Sequence, residues 1–521
     1  MGAPIAEIIA PGGIPARQEI AIRDLRRLGD LSRRGYQAAE MGGANRNFHP
    51  RRSTGDADIR RGLRLVVDRC RDQYINNPSI RGAIRRMVNN AVRDGIAPRF
   101  RFRNPSGEPL TEANRAWEAL FVRWATYAGL NRRQSLWTMQ RLALATMWSD
   151  GEFYVHRSYN DAIPGIPPLR LELIERDMLD TSVDGDLQNG NLARMGKELD
   201  RQTGEIVAYH FLAAHPGDYN GYRRGVRDTR RIPAADIIDC HEADRISQTA
   251  GMPWLASLVM ESWDLQEYRD YERIGAKLAA AFGIFVRNDN PVPNLLGGIG
   301  GPGFGGPGGD WPGAWGCNVA PLGEYIEPGR IQALPYGTDI RIAEHNRPGT
   351  QYEPYVKESR RTQSTGLGIS YEAFANDYTD ASYSSARSAA LEERLSYQGM
   401  QFFLSEAFLD PICRWFIESA WQSGLNPHPM PGFAENPWPW LESFSQANPG
   451  WQWVDPAKDA SASEKKIALG LSSHYREAMA AGVDFDENVD ELLRAETKLL
   501  EVDKIRAERA RLQEGTTGGQ P

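Results

Sequence analysis

Apolar residues recur at helical spacing through the first third of the chain. The pattern predicts a helix over about 58–73, and Asn77-Pro78 then supplies a cap and a first-turn proline for a helix that ends at Gly95. Two further helices are predicted over about 112–128 and 135–148. We expect the apolar faces of these helices to form core: Ile84, Met87, Val88, Val92, Trp117, Phe121, Trp124, Trp137 and Met147.

From Gly151 onward the apolar period changes to two, which is typical of strands. The predicted strands are residues 152–157, 169–174, 206–212 and 236–241. Asp184-Gly-Asp and Arg201-Gln-Thr-Gly have the composition of turns. Helices followed by strands predict an α+β body over roughly residues 58–250.

A long amphipathic helix is predicted from Pro253 to Phe285, with a length of roughly 45 Å at about 1.5 Å per residue. One face is apolar, which is typical of a helix that packs against neighbours. The opposite face is densely charged and carries Glu261, Asp264, Glu267, Arg269, Asp270, Glu272 and Arg273.

A glycine- and proline-rich insert occupies residues 287–346 and includes a flexible tongue, Gly297–Gly309. The tongue contains Gly298-x-Gly300-x-x-Gly303, the spacing of a dinucleotide-binding loop. That interpretation needs a strand before the glycines and a helix after them, and neither is predicted.

A polar loop, residues 366–387, lies between two predicted helices. A helix over about 355–365 leads into the loop, and a second long helix is predicted from Ser388 to about Trp421. Pro411 predicts a kink in that helix, because proline removes a backbone hydrogen bond and clashes one turn back. Further helices are predicted over about 461–512.

Charge is unevenly distributed in this chain of 521 residues with a net charge of −7. Up to Arg103 there are 21 arginines and no lysine against 10 acidic residues. Two interpretations stay open: salt bridges between subunits on a solvated face, or direct contact with DNA phosphates. The four cysteines are scattered, which favours reduced thiols over a zinc site, and no apolar run is long enough for a membrane span.

Catalytic motifs are missing from the sequence. It has no phosphate-binding Gly-x-x-x-x-Gly-Lys-Ser/Thr, no His-Glu-x-x-His and no Gly-x-Ser-x-Gly. Asp484 and Asp486 could form a metal-dependent nuclease site, but carboxylates are also common at a helix start. We therefore expect no enzyme, no cofactor and no metal, and keep the nuclease as a remote alternative.

Several separated segments together resemble the lambda-type portal proteins of tailed phages. These are Asn76-Asn-Pro-Ser-Ile-Arg-Gly, Asp150-Gly-Glu-Phe-Tyr-Val, Arg231-Ile-Pro-Ala-Ala-Asp, Arg245-Ile-Ser-Gln with Gly251-Met-Pro-Trp-Leu, Leu367-Gly-Ile-Ser-Tyr-Glu, Tyr383-Ser-Ser-Ala-Arg and Trp453-Val-Asp-Pro-Ala-Lys. The resemblance covers about residues 35–475, while the first 50 residues resemble the family poorly and the glycine tongue is longer and looser. A different head–tail adaptor or a scaffold protein is the alternative within virion proteins.

The resemblance implies an α+β portal fold that assembles into a ring, usually of twelve subunits. The implied regions are an N-terminal arm (1–57), a wing (58–252), a stem helix (253–286), a clip (287–345), a second stem helix (346–370), a tunnel loop (371–387), a kinked helix with wing return (388–454), a helical crown (455–512) and a flexible tail (513–521). The implied partners are double-stranded DNA bound without sequence preference, the terminase large subunit, a head-completion or adaptor protein and the major capsid protein, with no membrane. The location is the portal vertex of the virion, after assembly in the host cytoplasm.

The candidate site residues follow from this resemblance. The tunnel loop would face DNA with Asp377, Tyr378, Thr379, Asp380, Ser382, Tyr383, Ser384, Ser385 and Arg387, and the clip would face the terminase with Trp311, Trp315, Arg330 and Tyr336. A channel through which DNA slides needs few phosphate contacts, and the acidic residues of the loop would centre the duplex by repulsion. Arg387 would either contact phosphate transiently, or cap or pair within its helix.

Overall fold

The computed structural model describes residue 50 and residues 52–104, 106–160, 163–218, 228–281, 285–286, 332–333, 351–451, 455–483 and 485–517. The chain divides into two units, Met1–Thr54 and Gly55–Pro521, and every element named below belongs to the second. The predicted arm, residues 1–57, lies almost entirely outside the described residues.

The four predicted N-terminal helices are confirmed. They are α1 (Gly55–Asn76), α2 (Pro78–Val92), α3 (Thr111–Thr126) and α4 (Leu136–Ser149). The Asn77 side chain accepts hydrogen bonds from the Ser79 and Ile80 amides, as the cap position requires. Helix α2 ends at Val92, three residues before Gly95, whose φ of 118° brings its backbone against the Trp137 ring.

Three antiparallel sheets form the β part of the body. Strand β1 (Ala97–Phe100) pairs with β12 (Phe444–Ala447), and β2 (Glu152–Tyr159) lies between β3 (Leu169–Glu175) and β9 (Ile237–His241). The third sheet runs in the order β4 to β8: Gly185–Asp186, Leu192–Arg194, Lys197–Leu199, Ile206–Leu212 and Thr229–Pro233. The four predicted strands are thus confirmed, whereas the short strands β4, β5, β6 and β8 were not predicted.

The largest apolar core lies between the N-terminal helices, the three-stranded sheet and the second long helix. Trp117 and Trp124 are fully buried. The centroid of the Phe416 ring lies 5.1 Å from that of Trp124 and 5.0 Å from that of Phe121. These aromatic side chains are core, as their helical spacing predicted. Burial of this apolar area is the main source of stability for the body.

Two of the segments that carry the family resemblance meet backbone to backbone. A Cβ atom on Gly151, whose φ is 74°, would lie 2.0 Å from the Met252 carbonyl carbon. The buried Arg176 guanidinium donates to the carbonyl oxygens of Asp150 and Gly251 at 2.6 and 3.1 Å and ties the two segments together. Only glycine fits at such a contact.

The first long helix is shorter than predicted. A 3₁₀ turn, Ala256–Leu258, precedes α5, which spans Val259–Ala281 and has a length of roughly 35 Å. The predicted end at Phe285 is wrong, because Phe285–Val286 form strand β10 and pair in parallel with β11, Gln332–Ala333.

The second long helix begins earlier than predicted and contains a wider turn. After α6 (Tyr352–Leu367) and the short α7 (Tyr371–Ala375), helix α8 spans Tyr383–Phe403, so the predicted start at Ser388 is wrong. A π-helical segment, Leu404–Leu409, joins it to α9, Asp410–Gln422.

Pro411 lies in the first turn of α9, immediately after the π-helical segment. Because proline has no N–H, the carbonyl four residues earlier, that of Ala407, loses its usual helical donor. The buried Cys240 thiol donates to this carbonyl at 3.3 Å. A long helix interrupted here by a π turn and a proline is thereby held to strand β9.

The C-terminal part is helical: α10 (Trp438–Leu441), α11 (Pro456–Ala468), α12 (His474–Ala480) and α13 (Phe485–Thr517). The predicted loose tail from residue 513 is wrong for residues 513–517, which continue α13. Among the described helices, none has both the length and the apolarity that a membrane span requires.

Candidate functional site

The tunnel loop begins with two helix ends that fix its direction. Helix α6 stops at Gly368, whose φ of 70° is left-handed, and α7 starts three residues later. The Ser370 hydroxyl caps α7 by accepting from the Ala373 amide at 3.1 Å and donates to the Glu393 carboxylate of α8. The start of the loop is therefore tied to the helix that follows it.

Arg86 of helix α2 holds the C-terminal end of α7. Its guanidinium donates to the Ala373 carbonyl and, at 2.7 Å, to the Asn376 side-chain oxygen. Asn376 has a φ of 54°, a left-handed conformation that ends α7. A side chain of the body thus anchors the loop before its acidic residues begin.

The two acidic residues of the loop have different partners. Asp377 accepts from the Thr379 hydroxyl and amide and, at 3.1 Å, from the Tyr371 hydroxyl. The hydrogen bonds from Thr379 and then Tyr371 hold the pKa of the Asp377 carboxyl below its usual range. The Asp380 carboxylate instead lies 2.7 Å from the Lys357 ammonium of α6. The Tyr378 ring is largely exposed.

The serines of the loop form the N-terminal cap of helix α8. The Ser382 hydroxyl accepts from the Ser385 amide at 3.2 Å, and the Ser385 hydroxyl accepts from the Ser382 amide at 3.0 Å. These reciprocal bonds form a capping box. The Ser384 hydroxyl lies 3.1 Å from that of Ser382. All three hydroxyls therefore have local partners.

Arg387 is paired in the structure, and its partners come from the start of helix α11. Its guanidinium lies 2.6 Å from the Asp459 carboxylate and 3.8 Å from that of Asp455. Asp455 also accepts from the Tyr383 hydroxyl at 3.3 Å. The first turn of α8 is thus linked to the C-terminal helices by residues 72 positions apart in the sequence.

Sequence reasoning missed the cations that flank the loop. The Lys357 ammonium and the Arg361 guanidinium lie 5.8 and 5.7 Å from the centre of the Tyr371 ring, within the range of a cation–π interaction. Their spacing of four residues on α6 was the available signal, since it places both on one helix face. Arg86, 290 residues from Asn376, gave no local signal.

Among the described residues, two groups of side chains in the α+β body have the composition of metal sites, Glu152–Asp239–His241 and Glu175–Asp177–His215. The first already holds a cation, because the Lys197 ammonium lies 2.6 Å from both carboxylates. In the second, the Arg71 guanidinium pairs with Asp177 and lies 4.0 Å from Glu175, while His215 Nδ1 accepts from the Gly217 amide. In both groups the carboxylates are thus paired with a cation of the chain itself.

A match to a family model identifies the protein family of this chain. Residues 41–401 match the family described as phage portal protein, lambda family. The chain belongs to this family. The matched portal region runs from before α1 to near the end of α8 and includes residues 371–387, the predicted tunnel loop.

Individual portal proteins are similar over most of their length. The probable portal protein of Halomonas phage phiHAP-1 is 28% identical over 469 residues, which cover 88% of this chain and 83% of that protein. Portal protein B of Escherichia phage lambda is 19% identical over 509 residues, 93% of this chain and 91% of that protein. A chain from the neck of an empty GTA particle covers 81% of this chain and 94% of its own, with 12% identity and a TM-score of 0.41.

The predicted clip residues Trp311, Trp315, Arg330 and Tyr336 lie outside the described residues, as does Asp484 of the nuclease alternative. Asp486 is described, and it lies in the first turn of α13, where it accepts from the Tyr475 hydroxyl. Its position and partner are those of a helix-start carboxylate.

Proposed function

We propose that this chain is the portal subunit of a tailed phage. Copies of it would form a closed ring at one capsid vertex, and double-stranded DNA would pass through the axial channel during packaging and ejection. The observation that carries the proposal is the family match over residues 41–401. The role is structural rather than catalytic, and the named relatives from Halomonas phage phiHAP-1 and phage lambda are portal proteins.

An exposed apolar stripe on helix α5 supports assembly into a ring. Met260, Trp263, Tyr271 and Ile274 are each about half exposed and fall on one face of the helix, where Glu267 lies among them and accepts a hydrogen bond from the Tyr271 hydroxyl. Such a stripe is costly in water and marks an interaction surface. Repeated head-to-tail contacts between copies cover it, and they close into a ring when the rotation between neighbours divides the circle.

The regions of the chain take their roles from this proposal. Residues 58–252 would be the wing, α5 and α6 the stem, residues 287–345 the clip, and residues 455–512 the crown. The clip would meet the terminase large subunit and later a head-completion protein, and the wing would meet the major capsid protein. The assembly would be part of the virion and would form in the host cytoplasm.

The tunnel loop suits weak contact with DNA. Its exposed residues include Asp380 and Tyr378, while Arg387 is engaged by two carboxylates. Each phosphate that a protein neutralises adds salt-dependent affinity, which would slow a sliding duplex. A loop with few available cations therefore favours movement over binding.

Imaging of the purified full-length chain tests the proposal. We expect electron micrographs to show rings with a central opening, and mass photometry to show one large oligomer. A Trp263→Glu/Ile274→Glu variant should lose the rings, because two charges replace apolar side chains in the stripe. Leu142→Glu, an exposed leucine on α4, is the matched control. A wild-type protein that stays monomeric at micromolar concentration contradicts the proposal.

A further inference from the structure

A cationic face of helix α6 lies beside the tunnel loop. Lys357 and Arg361 are one helical turn apart, and both lie over the Tyr371 ring at 5.8 and 5.7 Å. The Tyr371 hydroxyl in turn donates to Asp377, which places the aromatic ring between the two cations and the loop. The ring holds the two cationic heads at the level of the loop.

The partner of Lys357 is a carboxylate of the loop itself. Asp380 is 83% exposed, and its oxygen lies 2.7 Å from the Lys357 ammonium. A carboxylate in this position presents to the ammonium an anionic oxygen, as a phosphodiester would. Arg361 has a looser partner, Glu358, at 3.7 Å one turn away on α6. Exposed pairs of this kind exchange readily with other anions.

Arg387 differs from these two cations. It lies between two carboxylates, those of Asp455 and Asp459, although its side chain is exposed to nearly the same extent as that of Lys357, 28% against 30%. A phosphate that approached Arg387 would meet two carboxylates, whereas at Lys357 it would meet one carboxylate on an exposed loop. Among the cations next to the loop that the structure describes, Lys357 and Arg361 are therefore better placed than Arg387 for an exchangeable interaction.

We propose that Lys357 and Arg361 contact the phosphodiester backbone of double-stranded DNA, and that Asp380 competes with phosphate for the Lys357 ammonium. This inference rests on the proposed portal function. Competition from Asp380 weakens the interaction of each phosphate with Lys357, so that the phosphate dissociates quickly. The channel would keep a guiding charge without the friction that several strong phosphate interactions produce.

Salt-dependent DNA binding by rings of the full-length chain tests the inference. The probe is a fluorescent linear duplex, with a closed minicircle of the same sequence as reference, because a closed circle does not thread into a channel. Wild type, Lys357→Gln, Asp380→Asn and the double variant are compared between 50 and 200 mM salt. The matched control is Asp503→Asn on α13, which removes a carboxylate paired with Arg506.

Because an exposed ion pair is worth less than about 1 kcal/mol, we expect Asp380→Asn to bind the linear duplex about threefold more tightly for each Lys357 ammonium that it frees. Lys357→Gln should lower the salt slope by about 1 for each phosphate that the ring no longer neutralises. In the Lys357→Gln background Asp380→Asn should have little effect, since the two residues act on one ammonium. If rings form but wild type, both single variants and the Asp503→Asn control bind the duplex equally, the inference is overturned. A wild type without rings overturns the proposed function instead.

Discussion

Two groups of ion pairs in this protein have the same chemistry and similar distances but different surroundings. In the α+β body, the Lys197 side chain is 1% exposed and its ammonium lies 2.6 Å from both Glu152 and Asp239. Beside the tunnel loop, the Lys357 ammonium lies 2.7 Å from Asp380, which is almost fully exposed. The distance alone does not distinguish the pairs.

Burial decides what each pair does. Lys197 also donates to the Thr249 carbonyl, and Arg176 and His241 add further hydrogen bonds to the same two carboxylates. Removal of one member leaves a buried charge without its partner. The loop pairs are screened by water and salt, and either member can accept another ion. The buried ion pairs stabilise the fold, whereas the exposed ion pairs can be replaced by pairs with other ions.

The largest expected effect is that of Lys197→Met. The substitution leaves Glu152 and Asp239 buried without the ammonium, and we expect the free energy of unfolding of the body to fall by about 3–5 kcal/mol. Denaturant titration followed by tryptophan fluorescence measures it. Lys197→Met/Glu152→Gln/Asp239→Asn, which removes the two carboxylate charges as well, should recover part of the loss.

A second prediction concerns acid. Burial alone would raise the pKa of Asp239, but the Lys197 ammonium and then His241 bring it down to about 2. A carboxyl with a lowered pKa stabilises the fold at pH above its unfolded pKa, near 3.9, and that contribution is lost as pH falls toward about 2. We expect about 2–3 kcal/mol to be lost over that range.

Unfolding at pH 6, 4, 3 and 2 tests this prediction. Asp239→Asn should be less stable at pH 6 and should show a shallower loss between pH 4 and pH 2. A profile of the same steepness in both proteins would assign the acid sensitivity to other carboxyl groups. Glu198, whose pKa is held at about 2 by the Arg231 guanidinium, is the first of those to examine.

An intermediate loss of stability is expected when the hydrogen bond from the Cys240 thiol to the Ala407 carbonyl, which joins two uncharged groups, is removed. Cys240→Ala removes the thiol donor from a partly buried carbonyl, for which we expect a cost of about 1 kcal/mol in the unfolding free energy. The loss should lie well below that of Lys197→Met, since no charge is left behind. Cys413→Ala is a comparison, because this cysteine is equally buried in the same core.

The smallest global effect is expected for Arg387→Gln. Its ion pairs with Asp455 and Asp459 are partly exposed, so the unfolding midpoint of the body should not change measurably. Local opening should increase, and hydrogen exchange of the amides in the first turns of α8 and α11 reports it. Arg387→Lys should be closer to wild type, and a fall in midpoint like that of Lys197→Met would erase the distinction between the two regions.

Local patterns in the sequence were enough to predict most elements of the body. The cap at Asn77, the helical spacing of Trp117 and Trp124, and the aromatic and β-branched residues of β2 are all signals among neighbours a few residues apart. The early start of α8 was missed because the cap depends on a Ser382–Ser385 pair, and serine at the third position is a weaker signal than glutamate.

The candidate site was less accessible to such reasoning because its interactions are long-range. Arg387 and Asp459 are 72 residues apart, and Lys197 and Glu152 are 45 residues apart. Composition raised two interpretations of the early arginines, and neither included pairs within the chain, such as that of Arg71 with Asp150 at 2.6 Å. Charge counts do not say which carboxylate an arginine meets.

The π-helical segment between α8 and α9 has a consequence for the orientation of the loop. A π turn takes up one residue more than an α turn, and successive α-helical residues are rotated by about 100°. The angular phase of α8 about its axis, and with it the direction in which Tyr383 points, is therefore set at Leu404–Leu409, some twenty positions along the chain. Deletion of one residue from this segment would restore regular α-helical geometry. The N-terminal end of α8 would then be rotated about the helix axis by about 100°.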